Sequence, residues 1–201
     1  MQKNALREGQ ITKSKLVSLR ARIDKIAKAY PSISFISFAD SLILKSNWTF
    51  GHFQSEVEYT YQPEMLLEVF VEIRRAYREV LGLKVYGVFA QGSNEYYDEP
   101  LLHISETQNH ICLNSLGVPF AQLLAIENTA RKYIRSNNHA PSELYMDSLY
   151  YHSLQFEYPF DKWETPRAPY EFMGAADGYE YFMSSVDEIM QRLEAAPARP
   201  V

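Results

Sequence analysis

The 201-residue chain has room for one domain of ordinary size, or one domain with an extension. Its 46% apolar and 14% aromatic content supports a sizeable core, excluding intrinsic disorder and a disulfide-stapled mini-protein. A net charge of -5 offers no global basic field for nucleic acid or anionic lipid, and the single cysteine, Cys112, permits neither a disulfide framework nor a cysteine-based zinc site. No apolar run approaches a membrane span and the polar start, MQKNALREGQITKSK, has no signal-peptide core, so a soluble cytoplasmic protein is expected.

In chain order, Leu16, Leu19, Ile23, Ile26 and Tyr30 step by three and four residues between Ile11 and Tyr30, with Lys and Arg opposite, which predicts an amphipathic helix ended by Pro31. Two apolar runs, Ile33 to Phe38 and Leu42 to Leu44, flank the turn formers Ala39-Asp40-Ser41. They predict a hairpin with Asp40 at or near its tip. Residues 51–62 read as a loop or ragged edge strand. Pro63 then opens a helix with Leu66, Phe70, Ile73, Tyr77 and Val80 on one stripe, stopped by Gly82. LKVYGVFAQG (83–92) reads as a buried strand, with Gly87 inside it and Gly92 at its end; a glycine there marks a bulge or a close approach by a ligand or another chain.

Residues 93–109 read as a polar loop with an acidic cluster, Glu95, Asp98 and Glu99, and HICLNSL as a short strand. Gly117-Val-Pro119 opens a third long helix, to about Arg135, and ELYMDSLYYHSLQF reads as one or two strands. The aromatic-rich segment 157–183 follows, as a strap over the sheet or an arm for a partner. Ser185-Val-Asp-Glu188 is a capping box opening a last helix. The expected fold is α+β, a mixed, mostly antiparallel sheet with helices packed on it (11–156) and a C-terminal extension (157–201).

Phosphate-loop, nucleophile-elbow, zinc-protease and dinucleotide signatures are absent. The five histidines are scattered, and ordinary surface or core roles outweigh metal ligation by His103 and His110. Cys112, in an apolar strand, reads as a buried inert thiol. Lys84 and Arg74 read as solvated charges. Asp40 has two readings: an Asx-turn bonding its own backbone, or a ligand for a hard cation such as Mg²⁺ with a bound phosphate.

The order of Phe38-Ala39-Asp40-Ser41 hairpin, amphipathic helix, strand Tyr86-Gly87-Val88-Phe89-Ala90-Gln91-Gly92, short strand, Gly117 and helix resembles class III nucleotidyl cyclase domains over roughly residues 15–155. The FxDS hairpin and the spacing of Gly87 and Gly92 more closely resemble a divergent bacterial branch that includes pyrimidine cyclases of anti-phage signalling. The resemblance implies a ferredoxin-like βαββαβ core, a homodimer, Asp40 as one of two aspartates holding Mg²⁺ or Mn²⁺, and Gly87 and Gly92 beside a nucleoside triphosphate or the second chain. It also implies a glutamate ten positions after the helix-opening glycine, which Glu127 matches.

The sequence departs from that pattern at three places. The strand carrying the family's first metal aspartate has no counterpart in MQKNALREGQ, and the positions of the transition-state asparagine and phosphate-binding arginine are Ala121 and Ala125. Alanine cannot donate to an oxygen or neutralise developing charge, and two-metal chemistry needs both carboxylates. Either the domain is degenerate or the start lies upstream. Three functions stay open: a catalytically impaired cyclase-homology domain acting by dimerisation or by binding a nucleotide or partner, an active metal-dependent cyclase making a 3′,5′-cyclic nucleotide, and an unrelated α+β interaction module.

Overall fold

The computed structural model describes residues 11–38, 41–46, 63–91, 101–104, 111–114, 118–154, 171–176 and 178–195. The architecture is α+β, as the sequence leads one to expect. The chain divides into two compact units, Met1–Val85 and Tyr86–Val201.

The first unit contains α1 (Lys13–Ala29), β1 (Ile33–Phe38), β2 (Ser41–Ser46) and α2 (Pro63–Leu81). Thr12 caps α1, its hydroxyl accepting from the Lys15 amide at 3.3 Å. Leu19, Ile23 and Ile26 of α1 bury against Val69, Ile73 and Ala76 of α2, while Leu16, the first residue of the predicted stripe, is 49% exposed. Strands β1 and β2 form an antiparallel hairpin in which Phe35 faces Leu44 and Phe38 faces Ser41. Alternation puts Ile33, Phe35, Leu42 and Leu44 against the helices. At the end of α2, Gly82 takes φ +70, which a side chain rarely adopts, and its amide closes onto the Arg78 carbonyl at 3.0 Å.

The second unit contains β3 (Gly87–Phe89), β4 (Leu101–Ile104), β5 (Ile111–Asn114), α3 (Val118–Asn137), β6 (Leu144–Asp147), α4 (Ser148–Leu154), β7 (Glu171–Ala176), β8 (Tyr179–Ser184) and α5 (Val186–Ala195). Its main sheet has the order β3-β6-β8-β7, with β3 parallel to β6 and the other two pairings antiparallel. A parallel pair requires a crossover, and α3 lies within the one joining β3 to β6. Strands β4 and β5 form a separate antiparallel pair, with Leu101–Ile104 taken from the segment read as a polar loop.

Ile126 and Ala130 of α3 pack on Tyr145, Met173, Tyr181 and Met183 of the sheet. The alternate residues Leu144 and Met146 belong to the opposite face and are also fully buried. There Tyr150 of α4 stacks on Phe89, centroids 5.0 Å apart, and Tyr151 stacks on Phe182 at 4.5 Å. Burial on both sides explains why Leu144, Tyr145 and Met146 of β6 are apolar without alternation.

The expectation of strand throughout 143–156 is corrected beyond Asp147, where the chain enters α4. Asp147-Ser148 is the local cause, because an aspartate that satisfies free amides starts a helix at that point. Of the aromatic-rich segment, residues 171–176 and 179–183 lie in β7 and β8. A bulge between Phe172 and Gly174 shifts their register. Gly174 has φ +152, and a Cβ there would stand 3.2 Å from Thr129 Cγ2 of α3. Ser185 starts α5 with its hydroxyl 3.5 Å from the Glu188 amide, as the capping box predicts.

Among the described residues no helix is long and apolar enough to cross a membrane. Ile126→Ala, which empties a fully buried position between α3 and the sheet, is expected to cost about 2–5 kcal/mol in urea unfolding. Leu124→Ala, on the same helix but 54% exposed, should stay within about 0.5 kcal/mol of the parent.

Candidate functional site

The residues singled out in the sequence fall in different places. Asp40 and Gly92 lie outside the described residues, as do Gly117, His110 and the acidic cluster Glu95, Asp98 and Glu99. β1 ends at Phe38, whose register partner is Ser41 at the start of β2, so the two strand ends flank Asp40 in the chain. Gly87 is the first residue of β3. It is buried, pairs in parallel register with Leu144, and donates its amide to the Glu143 carbonyl at 2.9 Å. His103 is the register partner of Cys112 across β4 and β5, a proximity invisible to a reading that follows sequence spacing alone.

The alanines on α3 divide between solvent and core. Ala121 is exposed, and Ala125 packs against the cluster around Ile126, Tyr145 and Met183. Glu127 sits between Tyr86, just before β3, and Arg131, one turn along α3. The Tyr86 hydroxyl donates to Glu127 Oε1 at 2.7 Å, and the Arg131 guanidinium donates to the same oxygen. The tyrosine's hydrogen bond, helped by Arg131, holds the Glu127 carboxyl below the usual glutamate range. Burial and the neighbouring carboxylate push the Tyr86 phenol up. Tyr86 of this trio immediately precedes Gly87, which the cyclase resemblance would put beside a nucleoside triphosphate or the second chain. Arg131 is the member that motif reasoning misses, although an (i, i+4) Glu–Arg pair is a legible signal.

The second polar feature is Asp147, the last residue of β6, with 0% of its surface exposed. Its Oδ1 accepts from the Tyr150 amide at 2.8 Å and its Oδ2 from the Gln91 amide at 3.2 Å, with a further amide contact from Leu149. One carboxylate thus starts α4 and fastens the residue after Ala90, at the carboxyl end of the glycine-bearing strand. Desolvation raises its pKa despite these donors, each of which favours the charged form. A carboxylate whose oxygens are engaged by amides is poorly disposed to ligate a cation. Among the described residues no group of three His, Cys, Asp or Glu is placed to hold a metal ion.

A third cluster joins the end of α3 to the start of β7. Tyr133 donates to Glu171 Oε1, and His139 Nε2 lies 2.9 Å from Glu171 Oε2. The His139 and Tyr133 rings are 5.9 Å apart. The group is partly solvated and fastens the edge strand β7 to the helix.

The two shifted carboxylates contribute to stability with opposite signs. Asp147 has a raised folded-state pKa, so its contribution is complete below the ordinary aspartate range and is lost as pH rises through the raised value. Glu127 has a lowered one, so its contribution is present above the ordinary glutamate range and is lost as pH falls through the lowered value. Unfolding measured across the acid range should show the acid-side loss shrink in Glu127→Gln. Asp147→Asn should remove the component lost on raising the pH. It should also cost about 1–3 kcal/mol, because an amide group replaces one acceptor with a donor facing a backbone N–H.

Comparisons of the chain with protein-family models, with curated proteins and with solved structures found no match.

Proposed function

We propose that this chain is a nucleotidyl cyclase-homology domain of cyclic-nucleotide signalling that is catalytically impaired as it stands and acts by dimerising or by binding a nucleotide or a partner. The observation that carries the reading is the β1–β2 hairpin. Its register pairs Phe38 with Ser41, on either side of the aspartate to which the resemblance gives the metal. The order of α2, β3, the β4–β5 pair, α3 and β6 after it is compatible with the same reading.

Impairment is argued from α3. The position that would grip phosphate holds Ala125, packed against the core, and the position that would face the transition state holds the inert methyl of Ala121. Glu127 is committed to Tyr86 and Arg131. In this reading Mg²⁺ or Mn²⁺ would serve to seat a triphosphate beside Asp40, and the chain would work as a sensor or as the inactive member of a pair.

A specific observation favours the alternative of an unrelated α+β interaction module. Among the described residues, the hairpin and β3 belong to separate sheets and share no ladder. One set of measurements separates the readings. Incubation with each of the four ribonucleoside triphosphates and Mn²⁺ should yield no cyclic product, while a triphosphate with Mn²⁺ should raise the melting temperature of the parent more than that of Asp40→Asn, or sedimentation should show a dimer. A cyclic product abolished by Asp40→Asn would establish the active enzyme. A monomer indifferent to every triphosphate would leave only the interaction module.

A further inference from the structure

Helix α1 is the basic element of an acidic protein. It carries six Lys and Arg residues against one acid, Asp24, in a chain whose net charge is -5. Between α1 and α2 runs an open groove of about 710 Å³, lined by Ser18, Ala21, Arg22, Lys25, Ala29 and Arg75, with Ile26 and Glu72 completing it. That size is within the range of small-molecule sites. Three cations from two helices therefore border one concavity in which there is a single carboxylate.

Glu72 and Glu79 offset part of that positive charge, and Lys25 and Arg75 are the cations that remain. Glu72 accepts a hydrogen bond from the Tyr30 hydroxyl at 3.3 Å. Arg22 reaches across to Glu79 at 2.8 Å, which places its guanidinium at the rim with further N–H donors to spare. Among the described residues, Lys25 and Arg75 make no ion pair, and both are exposed. Small side chains at Ser18, Ala21 and Ala29 keep the floor low, so a ligand can pass between the long cationic ones, and Ser18 adds a hydroxyl. Like charges held around one groove repel until an anion enters, and several of them favour an anion with several charges.

We propose that the α1–α2 groove binds a linear polyphosphate group, either free or carried by a nucleotide, through Arg22, Lys25 and Arg75. None of these residues belongs to the set that the cyclase resemblance assigns, so the inference stands apart from the function proposed above. A partner nucleic acid would need a longer basic track, and the groove is confined to the two helices.

The test is calorimetric titration of the full chain, at low ionic strength, with inorganic tripolyphosphate and separately with ATP. Tripolyphosphate should bind one to one, and Lys25→Gln/Arg75→Gln should weaken it by about tenfold or more. Lys13→Gln/Lys28→Gln, which removes equal charge from α1 outside the groove, should leave affinity within about twofold. ATP binding as tightly as tripolyphosphate assigns the site to the phosphate chain alone, and tighter binding shows that the groove floor also takes the nucleoside. In the absence of divalent metal, Asp40→Asn should leave the tripolyphosphate titration unchanged, which separates this site from the metal-dependent one proposed at the hairpin. Absence of tripolyphosphate binding, equal weakening by both double variants, or displacement of tripolyphosphate by a short single-stranded oligonucleotide of higher affinity would each overturn the proposal.

Discussion

A buried carboxylate without a neighbouring cation can persist only if backbone amides surround it, and the second unit is organised around that requirement at Asp147. Three amides meet the side chain, from Gln91, Leu149 and Tyr150. Each comes from a segment that would otherwise end with unsatisfied groups: the chain leaving β3, and the first turn of α4. The same contact that stops β6 thus aligns the carboxyl ends of two parallel strands. Desolvation offsets part of what these bonds contribute, which is why the carboxyl's pKa lies above the usual range in spite of its donors. The arrangement fixes Gln91 beyond the end of β3.

Polar groups on α3 are likewise placed for packing. One stripe of the helix, Ile126 and Ala130, packs on the sheet, and the neighbouring Gln122 accepts from the buried Tyr181 hydroxyl at 2.8 Å. The adjoining stripe carries Glu127 and Arg131, tied to Tyr86. Those bonds hold the start of β3 against the helix from outside while the apolar stripe holds the sheet from beneath. Ala125, packed against the same cluster, serves the contact between the helix and the sheet.

The sequence was legible where one physical signal dominated. Periodicity located α1 and α2, Gly117-Val-Pro119 marked the opening of α3, glycine at 82 and the box at Ser185–Glu188 marked helix ends, and Ala39-Asp40 between apolar runs marked the hairpin. It was illegible where tertiary partners overrode local pattern. The seven residues 148–154 have no strong helical stripe of their own, and Tyr150 and Leu154 are buried because the sheet receives them. Strands β4 and β7 were similarly obscured, one by polar neighbours and one by a glycine bulge. Asp147 could have been found from Asp-Ser preceding apolar residues. Its second bond, to Gln91, joins residues 56 apart and has no local signature.

Charge is distributed as unevenly as chemistry. α1 is basic and the chain as a whole is acidic, and one pairing that the fold supplies to its cations, Arg22 with Glu79, is solvated on both sides. Exposed pairs of that kind contribute little, so stability does not account for concentrating so many cations on one helix. The buried stripe of α1 would pack equally well beneath neutral polar residues. What the cations do create is a basic helix in an acidic chain, joined at the groove by Arg75 of α2, with a field weakened by salt. A field of that form also acts on an anion that enters it from solution, which is the reason to regard the α1–α2 groove as a recognition surface.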